Sequence, residues 1–263
     1  MPIMFLTNLA VITALMVLLW LVSLAITNAS IVDIFWGLGF VIVAWLSLWL
    51  AHGHGTRAVL LVALTSVWGA RLSGYLAWRN LGHGEDPRYR AMRERNGARF
   101  WLISLGTVFG LQALLIALIS LPLQAGLRAP ALTHVTILQG VGVLFWLVGI
   151  LFEAVGDLQL ARFKADPANA NAVMDRGLWR YTRHPNYFGD FAVWWGLYLV
   201  AVSDIAGLRA LGWTAVGPAI MSFLLMRVSG VPLLERSLRQ RRPDYEAYIR
   251  RTSAFFPWPP TSG

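Results

Sequence analysis

Residues 183–200 read RHPNYFGDFAVWWGLYLV, a polar run followed directly by an apolar segment. A change of this kind is typical of a helix that enters a lipid bilayer at its polar end. Seven apolar segments approach the ~20 residues that a membrane helix needs, although the sixth is short. They cover roughly 3–27, 31–51, 57–78, 100–122, 134–160, 188–203 and 208–230. The sequence therefore predicts an all-α membrane protein of seven transmembrane helices in a single domain, 1–263.

The composition supports this class. The chain is 57% hydrophobic and 13% charged, whereas a soluble domain carries about 25% charged residues. The absence of cysteine excludes disulfides, thiolate nucleophiles and cysteine-ligated metal, and the five histidines show no convincing ligand spacing, so no metal site is predicted. The net charge of +9 fits Lys and Arg placed at the lipid surface, and we expect no nucleic-acid partner.

The distribution of basic residues predicts the topology. The segments 79–99, 161–187 and 231–263 carry 6, 5 and 6 of them, whereas the alternate loops carry Arg57, Arg128 and Arg209. Lys and Arg concentrate in cytoplasmic loops. The C-terminus is therefore predicted to be cytoplasmic and the N-terminus to lie outside.

Ionisable residues inside the predicted spans are candidates for function, because each costs at least ~2.5–3.5 kcal/mol to place in a bilayer. Glu153 and Asp157 are four residues apart on one helix face, where they would repel unless a cation or a hydrogen-bonded ligand lay against them. The alternative for another pair, Asp33 and Arg71, is that they only pair with each other. The full set is Asp33, Arg71, Glu153, Asp157, Asp190 and Arg227.

The opening run predicts an anion site. Pro185 suits the first turn of a helix, whose free N–H groups favour a phosphate or carboxylate, and Arg183 and His184 extend the set of donors. The alternative is an interfacial belt whose side chains reach lipid head groups. That alternative accounts poorly for Asn186 and Asp190.

Several motifs in order resemble the steroid 5-alpha-reductase family, particularly its bacterial branch long labelled a domain of unknown function. They are RHPNYFGD followed by WWG, GDLQLARFK at 156–164 and DYEAYIRRTSAFFPW at 244–258, with SIVDIFWG at 30–37 and WGARLSGYLAWRN at 68–80 extending the likeness. The family shares ancestry with sterol C14-reductases. The more distant isoprenylcysteine carboxyl methyltransferases also carry RHP and a related tail.

This resemblance implies an enzyme of the bacterial inner membrane that binds NADPH in a cavity open to the cytoplasm. Its substrate would be a lipophilic enone from the bilayer, such as a 3-oxo-Δ4 steroid, with no obligate protein partner. The cofactor would be held by the C-terminal half, 134–263. The implied cofactor residues are Glu153, Asp157, Arg162, Lys164, Tyr181, Arg183, His184, Asn186, Asp190, Arg227 and Glu235.

The resemblance also implies a catalytic set. The family places a Glu on the second segment and a Tyr on the third, to polarise the substrate carbonyl. Asp33 matches the acid, and it would have to be protonated or act through a neighbour; Trp36 and Arg71 are expected beside it at the substrate. Trp68 occupies the Tyr position, and because indole cannot shuttle a proton, the alternatives are Tyr75 and Tyr187.

Two other functions remain open. One is a membrane methyltransferase that uses S-adenosylmethionine, although those enzymes typically carry two consecutive glutamates where this chain has Glu235 followed by Arg236. The other is a lipid-binding or scaffolding protein whose intramembrane charges only hold the bundle together. That function would not explain why six ionisable residues, each unfavourable in lipid, occur within the predicted spans.

Overall fold

The computed structural model describes residues 1–132, 134–203, 205–228, 235, 239, 242 and 244–261, and all regular structure there is helical. The α-helices are α1 Pro2–Ala25, α2 Ile31–Ala51, α3 Gly55–Asn80, α4 Pro87–Asn96, α5 Phe100–Ser104, α6 Leu111–Ile119, α7 Leu121–Arg128, α8 Ile137–Ala165, α9 Pro185–Val202, α10 Ile205–Leu211, α11 Val216–Phe223 and α12 Tyr245–Arg251. Two π-helical turns lie at Leu105–Gly110 and Leu224–Val228, and 3₁₀ turns at Gly97–Arg99, Pro167–Asn169, Gly177–Arg180 and Gly212–Ala215.

Six helical runs among the described residues are long and apolar enough to cross a membrane, and they indicate an integral membrane protein. They are Pro2–Ala25, Ile31–Ala51, Gly55–Asn80, Pro87–Ile119, Ile137–Ala165 and Leu208–Val228. The remaining predicted span corresponds to α9, which forms a helix but is not one of these six. Residues 229–230, at the end of the last predicted span, and Arg236 lie outside the described residues.

The chain divides into two compact units, and the first comprises residues 1–139 and 200–217. Within it, α2 and α3 approach most closely at Gly37 and Gly69, where a Cβ added to Gly37 would lie 2.5 Å from the Gly69 carbonyl oxygen. Small residues permit this backbone contact between membrane helices. A buried amide, Asn8 on α1, donates to Ser47 Oγ at 2.9 Å and to Gln124 Oε1 at 3.2 Å, which ties α1 to α2 and α7.

The second unit comprises residues 140–199 and 218–263 and is built around α8 and α9. Glycines 142, 149 and 156 recur every seven residues along α8, so they lie on one face. An added Cβ on Gly149 would lie 2.6 Å from the Gly189 carbonyl oxygen, and one on Gly196 would lie 2.6 Å from the Gly142 carbonyl oxygen. This glycine seam brings the backbones of α8 and α9 into direct contact.

Candidate functional site

The seam places polar side chains of α8 and α9 against each other. Glu153 and Asp157 are buried, with 2% and 6% of their surface exposed. Asn186, in the first turn of α9, donates from Nδ2 to Asp157 Oδ1 over 3.3 Å. Glu153 lies beside Gly189, and Asp190 is half-buried one turn after Asn186. Carboxylates and an amide, predicted separately from the sequence, therefore meet across the seam.

Residues just before α9 form a second cluster. Arg183 Nε donates to Glu235 Oε1 over 2.7 Å, and His184 Nε2 lies 3.2 Å from the same oxygen. Burial would raise the pKa of Glu235, but the hydrogen bonds from His184 and Arg183 outweigh it and lower the pKa to about 2. Burial also lowers the pKa of His184, and the contact with Glu235 offsets this only in part. The cluster is thus a carboxylate, a guanidinium and a neutral imidazole.

The C-terminal segment closes over this cluster. Arg183 Nη1 donates to the carbonyl oxygens of Thr252, at 2.5 Å, and Ile249, at 3.2 Å, and the Arg183 amide donates to Ser253 O at 2.9 Å. Thr182 Oγ1 donates to Phe255 O at 2.8 Å. Arg183 therefore makes three hydrogen bonds to the C-terminal segment. The sequence predicted it as a cofactor residue and did not indicate this structural contact.

In the first unit, Asp33 lies at the start of α2 and accepts two hydrogen bonds. Arg88 Nη2 donates to Oδ2 over 2.8 Å, and the Tyr89 hydroxyl donates to Oδ1 over 2.7 Å. Asp86 caps α4 through the Arg88 amide and also accepts from Arg88 Nε over 2.9 Å. Both oxygens of Asp33 are thus engaged, one by a guanidinium and one by a phenol hydroxyl. The predicted role of Asp33, as a protonated donor or through a neighbour, stays a prediction, and Tyr89 is a neighbour in hydrogen-bond contact with it.

The other predicted catalytic and substrate residues of this unit lie along α2 and α3. Trp68 is fully buried and its ring is 5.7 Å from that of Phe40, so it is a core residue. Tyr75 lies between two guanidinium groups, those of Arg71 at 5.5 Å and Arg79 at 5.7 Å from its ring. Trp36 makes an edge contact with Phe40 at 5.2 Å.

A family model described as "Protein of unknown function (DUF1295)" matches residues 19–252. The chain belongs to the DUF1295 family. The match covers both compact units of this DUF1295 protein, and hence both the Asp33 region and the seam.

An uncharacterized protein of Schizosaccharomyces pombe is similar to this DUF1295 protein. The two are 26% identical over 276 aligned positions, which cover 91% of this chain and 75% of the relative. No solved structure matches the chain at a significant level.

The other predicted site residues in the second unit of the DUF1295 protein are the catalytic alternative Tyr187 and the cofactor residues Tyr181, Arg162, Lys164 and Arg227. Tyr187 stacks on His184 with ring centroids 5.4 Å apart, and Tyr181 is 43% exposed. Arg162 and Lys164 are exposed in the last turn of α8, and Arg227 is exposed in the π turn after α11. Within the described ranges, no group of three or more acidic or histidine side chains could hold a metal ion.

Sequence reasoning missed Arg88 and Tyr89, the partners of Asp33. Both lie in the segment DPRYR, 55 and 56 residues after Asp33. The local signal was available, since an Asp before a Pro is typical of a helix N-terminus and predicts α4. What the sequence did not show is that this short helix returns to the start of α2.

Proposed function

We propose that this DUF1295 protein reduces the carbon–carbon double bond of a lipophilic enone with NADPH. The observation that carries the proposal is the meeting of Glu153, Asp157 and Asn186 across the α8–α9 seam. The resemblance to steroid 5-alpha-reductases in the same segments supplies the enzyme class. With it we propose seven transmembrane helices, an external N-terminus, and a cofactor cavity open to the cytoplasm of a bacterial inner membrane.

The polar set of the seam fits the nucleoside parts of the cofactor. Carboxylates accept hydrogen bonds, and ribose hydroxyls and a nicotinamide amide are donors of the right kind. Glu153 and Asp157 would accept from these donors, and Asn186 supplies both a donor and an acceptor.

The phosphate groups require cations nearby. Arg162 and Lys164 are exposed in the last turn of α8, two turns or less beyond Asp157, and they fit that requirement. We assign the phosphates to this pair rather than to Arg183, whose donors hold the C-terminal segment. Bound NADPH would supply the hydride for the β carbon of the enone.

The chain must also place a hydrogen-bond donor at the substrate carbonyl, where negative charge develops during reduction. Both oxygens of Asp33 are engaged, by Arg88 and by the Tyr89 hydroxyl, so Tyr89 is the neighbour through which it would act. Tyr89 Oη and Asp33 Oδ1 lie 2.7 Å apart, and the Tyr89 hydroxyl supplies the proton of this hydrogen bond. We therefore assign the hydrogen bond to the carbonyl to the Tyr89 hydroxyl, whose single proton would turn from Asp33 Oδ1 to the substrate oxygen, with Asp33 and its partner Arg88 holding the phenol in place.

The cofactor assignment is tested by thermal unfolding of the detergent-purified protein with NADPH, NADH or S-adenosylmethionine. We expect NADPH to raise the unfolding temperature and Asn186→Ala to weaken its binding about tenfold or more, as for a hydrogen bond to a charged or buried partner. Asn96→Ala is the matched control, because Asn96 donates only to Met92 O within α4 among the described contacts. A shift with S-adenosylmethionine alone would assign the protein to the methyltransferases instead.

The catalytic assignment is tested separately with Asp33→Ala. We expect this variant to keep the NADPH-dependent shift but to lose NADPH consumption with a 3-oxo-Δ4 steroid. Normal turnover by Asp33→Ala would refute the role of Asp33 and leave the cofactor assignment standing.

A further inference from the structure

A cavity of about 220 Å³ lies in the first unit, where the end of α1, the start of α2 and the end of α3 meet. Its lining includes the apolar residues Ile31, Ile34 and Leu81. It also includes the polar residues Asn28, Ser30 and Asn80. A lining that offers both kinds of side chain suits an amphiphile, whose body and head need different surroundings.

Most polar atoms of the wall are used within the protein. Asn28 donates from Nδ2 to Gly84 O over 3.2 Å and accepts from the Ser30 amide over 2.9 Å. Ser30 Oγ accepts from the Asp86 amide over 2.6 Å. These hydrogen bonds are made within the protein, and they fix the positions of Asn28 and Ser30 at the cavity.

Asn80 is different. Its Oδ1 accepts from Arg79 Nε over 3.0 Å, which fixes the orientation of the amide. Its Nδ2 is buried and has no acceptor among the described residues. A buried donor without an acceptor is unfavourable, so a ligand oxygen in the cavity is the natural partner for this N–H group.

The charge next to the cavity has a small positive excess. The three carboxylates of Asp33, Glu85 and Asp86 are engaged by Arg88 and Arg93. Two further exposed guanidinium groups donate to neutral oxygens, Arg79 to Asn80 Oδ1 and Arg90 to Glu85 O, and also attract Asp86 and Glu85, so cations exceed anions by one. An anionic head group is therefore favoured over a neutral one.

Exposed apolar side chains beside the cavity indicate how deep in the membrane the cavity lies. Trp78 and Leu81 are 66% and 62% exposed at the end of the membrane-spanning helix α3. A Trp at the polar end of such a helix is typical of the head-group region. The cavity thus opens where lipid head groups lie.

From these observations we propose that the cavity binds an anionic phospholipid. A phosphate oxygen accepts from Asn80 Nδ2, the two exposed arginines balance the charge, and the glycerol end of the acyl chains contacts Ile31, Ile34 and Leu81. This lipid site uses residues of the first unit alone, and it does not depend on the reductase assignment.

The test uses the full chain in nanodiscs that contain phosphatidylcholine with increasing phosphatidylglycerol, without NADPH. Native mass spectrometry counts the lipid that remains bound, and thermal unfolding measures stabilisation. We expect phosphatidylglycerol to be retained about tenfold over phosphatidylcholine, because it lacks the choline cation that the exposed arginines repel. Both lipids carry a phosphate, so Asn80→Leu should weaken retention of each about tenfold, whereas Asn96→Leu should leave it unchanged.

A second pair of variants decides the matter if Asn80→Leu does not fold. Arg79→Gln and Arg95→Gln each remove one positive charge; Arg79 donates to the lining residue Asn80, whereas Arg95 is exposed on α4 and has no described hydrogen bond to a lining residue. Only Arg79→Gln should weaken retention of phosphatidylglycerol. Equal retention of the two lipids, equal effects within each pair of variants, or equal stabilisation by inorganic phosphate alone would overturn the proposal.

Discussion

Replacement of Gly149 by alanine tests whether the α8–α9 seam holds the second unit together. The added methyl would lie 2.6 Å from both Gly189 O and the Val193 amide nitrogen, whereas ordinary contacts begin at 3.4 Å. Both neighbours are backbone atoms that no rotamer change can move, so the helices must separate by about 1 Å. Strain of this kind costs ~1–3 kcal/mol.

Gly140→Ala is the matched control on the same helix. A Cβ at Gly140 would meet nothing within 4 Å, so this variant has only the gain of about 0.5–1 kcal/mol that alanine brings to a helix. Gly149→Ala has the same gain, so the two variants should differ by the strain alone, ~2 kcal/mol at the middle of its range. For a chain of this size that difference corresponds to about 4–8 °C in Tm.

The assay is thermal unfolding of both variants in the same detergent, followed by near-UV circular dichroism. Gly149→Ala should also weaken NADPH binding, because separation of the helices lengthens the 3.3 Å contact between Asn186 and Asp157. An unfolding temperature for Gly149→Ala equal to or above that of Gly140→Ala would refute the inferred backbone contact.

Three further predictions concern single side chains. Glu235→Gln should lower the free energy of unfolding by ~3 kcal/mol, because it leaves the buried Arg183 without its anion. Glu246→Gln is the control: its ion pair is exposed, so the free energy of unfolding should change by less than ~1 kcal/mol. Chemical denaturation compares the two variants. The pKa values of His184 and Glu235 are both lower in the folded protein than their ordinary values of 6.5 and 4.5, so the unfolded chain binds more protons as the pH falls. Stability should thus be greatest above pH 6.5 and should decline below it as His184 takes up a proton. It should decline further from pH 4.5 towards about 2 as Glu235 is protonated. A Tm that rises between pH 7 and pH 5 would contradict this. Tyr89→Phe removes the hydroxyl bound to Asp33 and should reduce kcat by about 10²-fold or more while the NADPH-dependent shift persists; unchanged turnover would exclude Tyr89 from the chemistry.

The helical membrane architecture could be predicted from the sequence because each apolar segment must satisfy its own backbone hydrogen bonds in lipid. The predicted segments 31–51 and 134–160 correspond closely to α2, Ile31–Ala51, and α8, Ile137–Ala165. Helix α9 is less clear from composition alone, since Asn186 and Asp190 interrupt its apolar pattern. These two polar residues are the reason that α9 was predicted to contribute to function.

The positions of polar residues along single helices were likewise readable from the sequence, because the helical repeat places Glu153 and Asp157 on one face. Their meeting with Asn186 depends on the packing of two helices through glycines 149 and 189, which sequence spacing alone does not specify. The partners of Asp33 and Arg183 were decided only by the tertiary structure, since Arg88 and Glu235 lie 55 and 52 residues away in the chain. Local rules determine which side chains are costly to leave in lipid, and long-range packing determines which groups satisfy them.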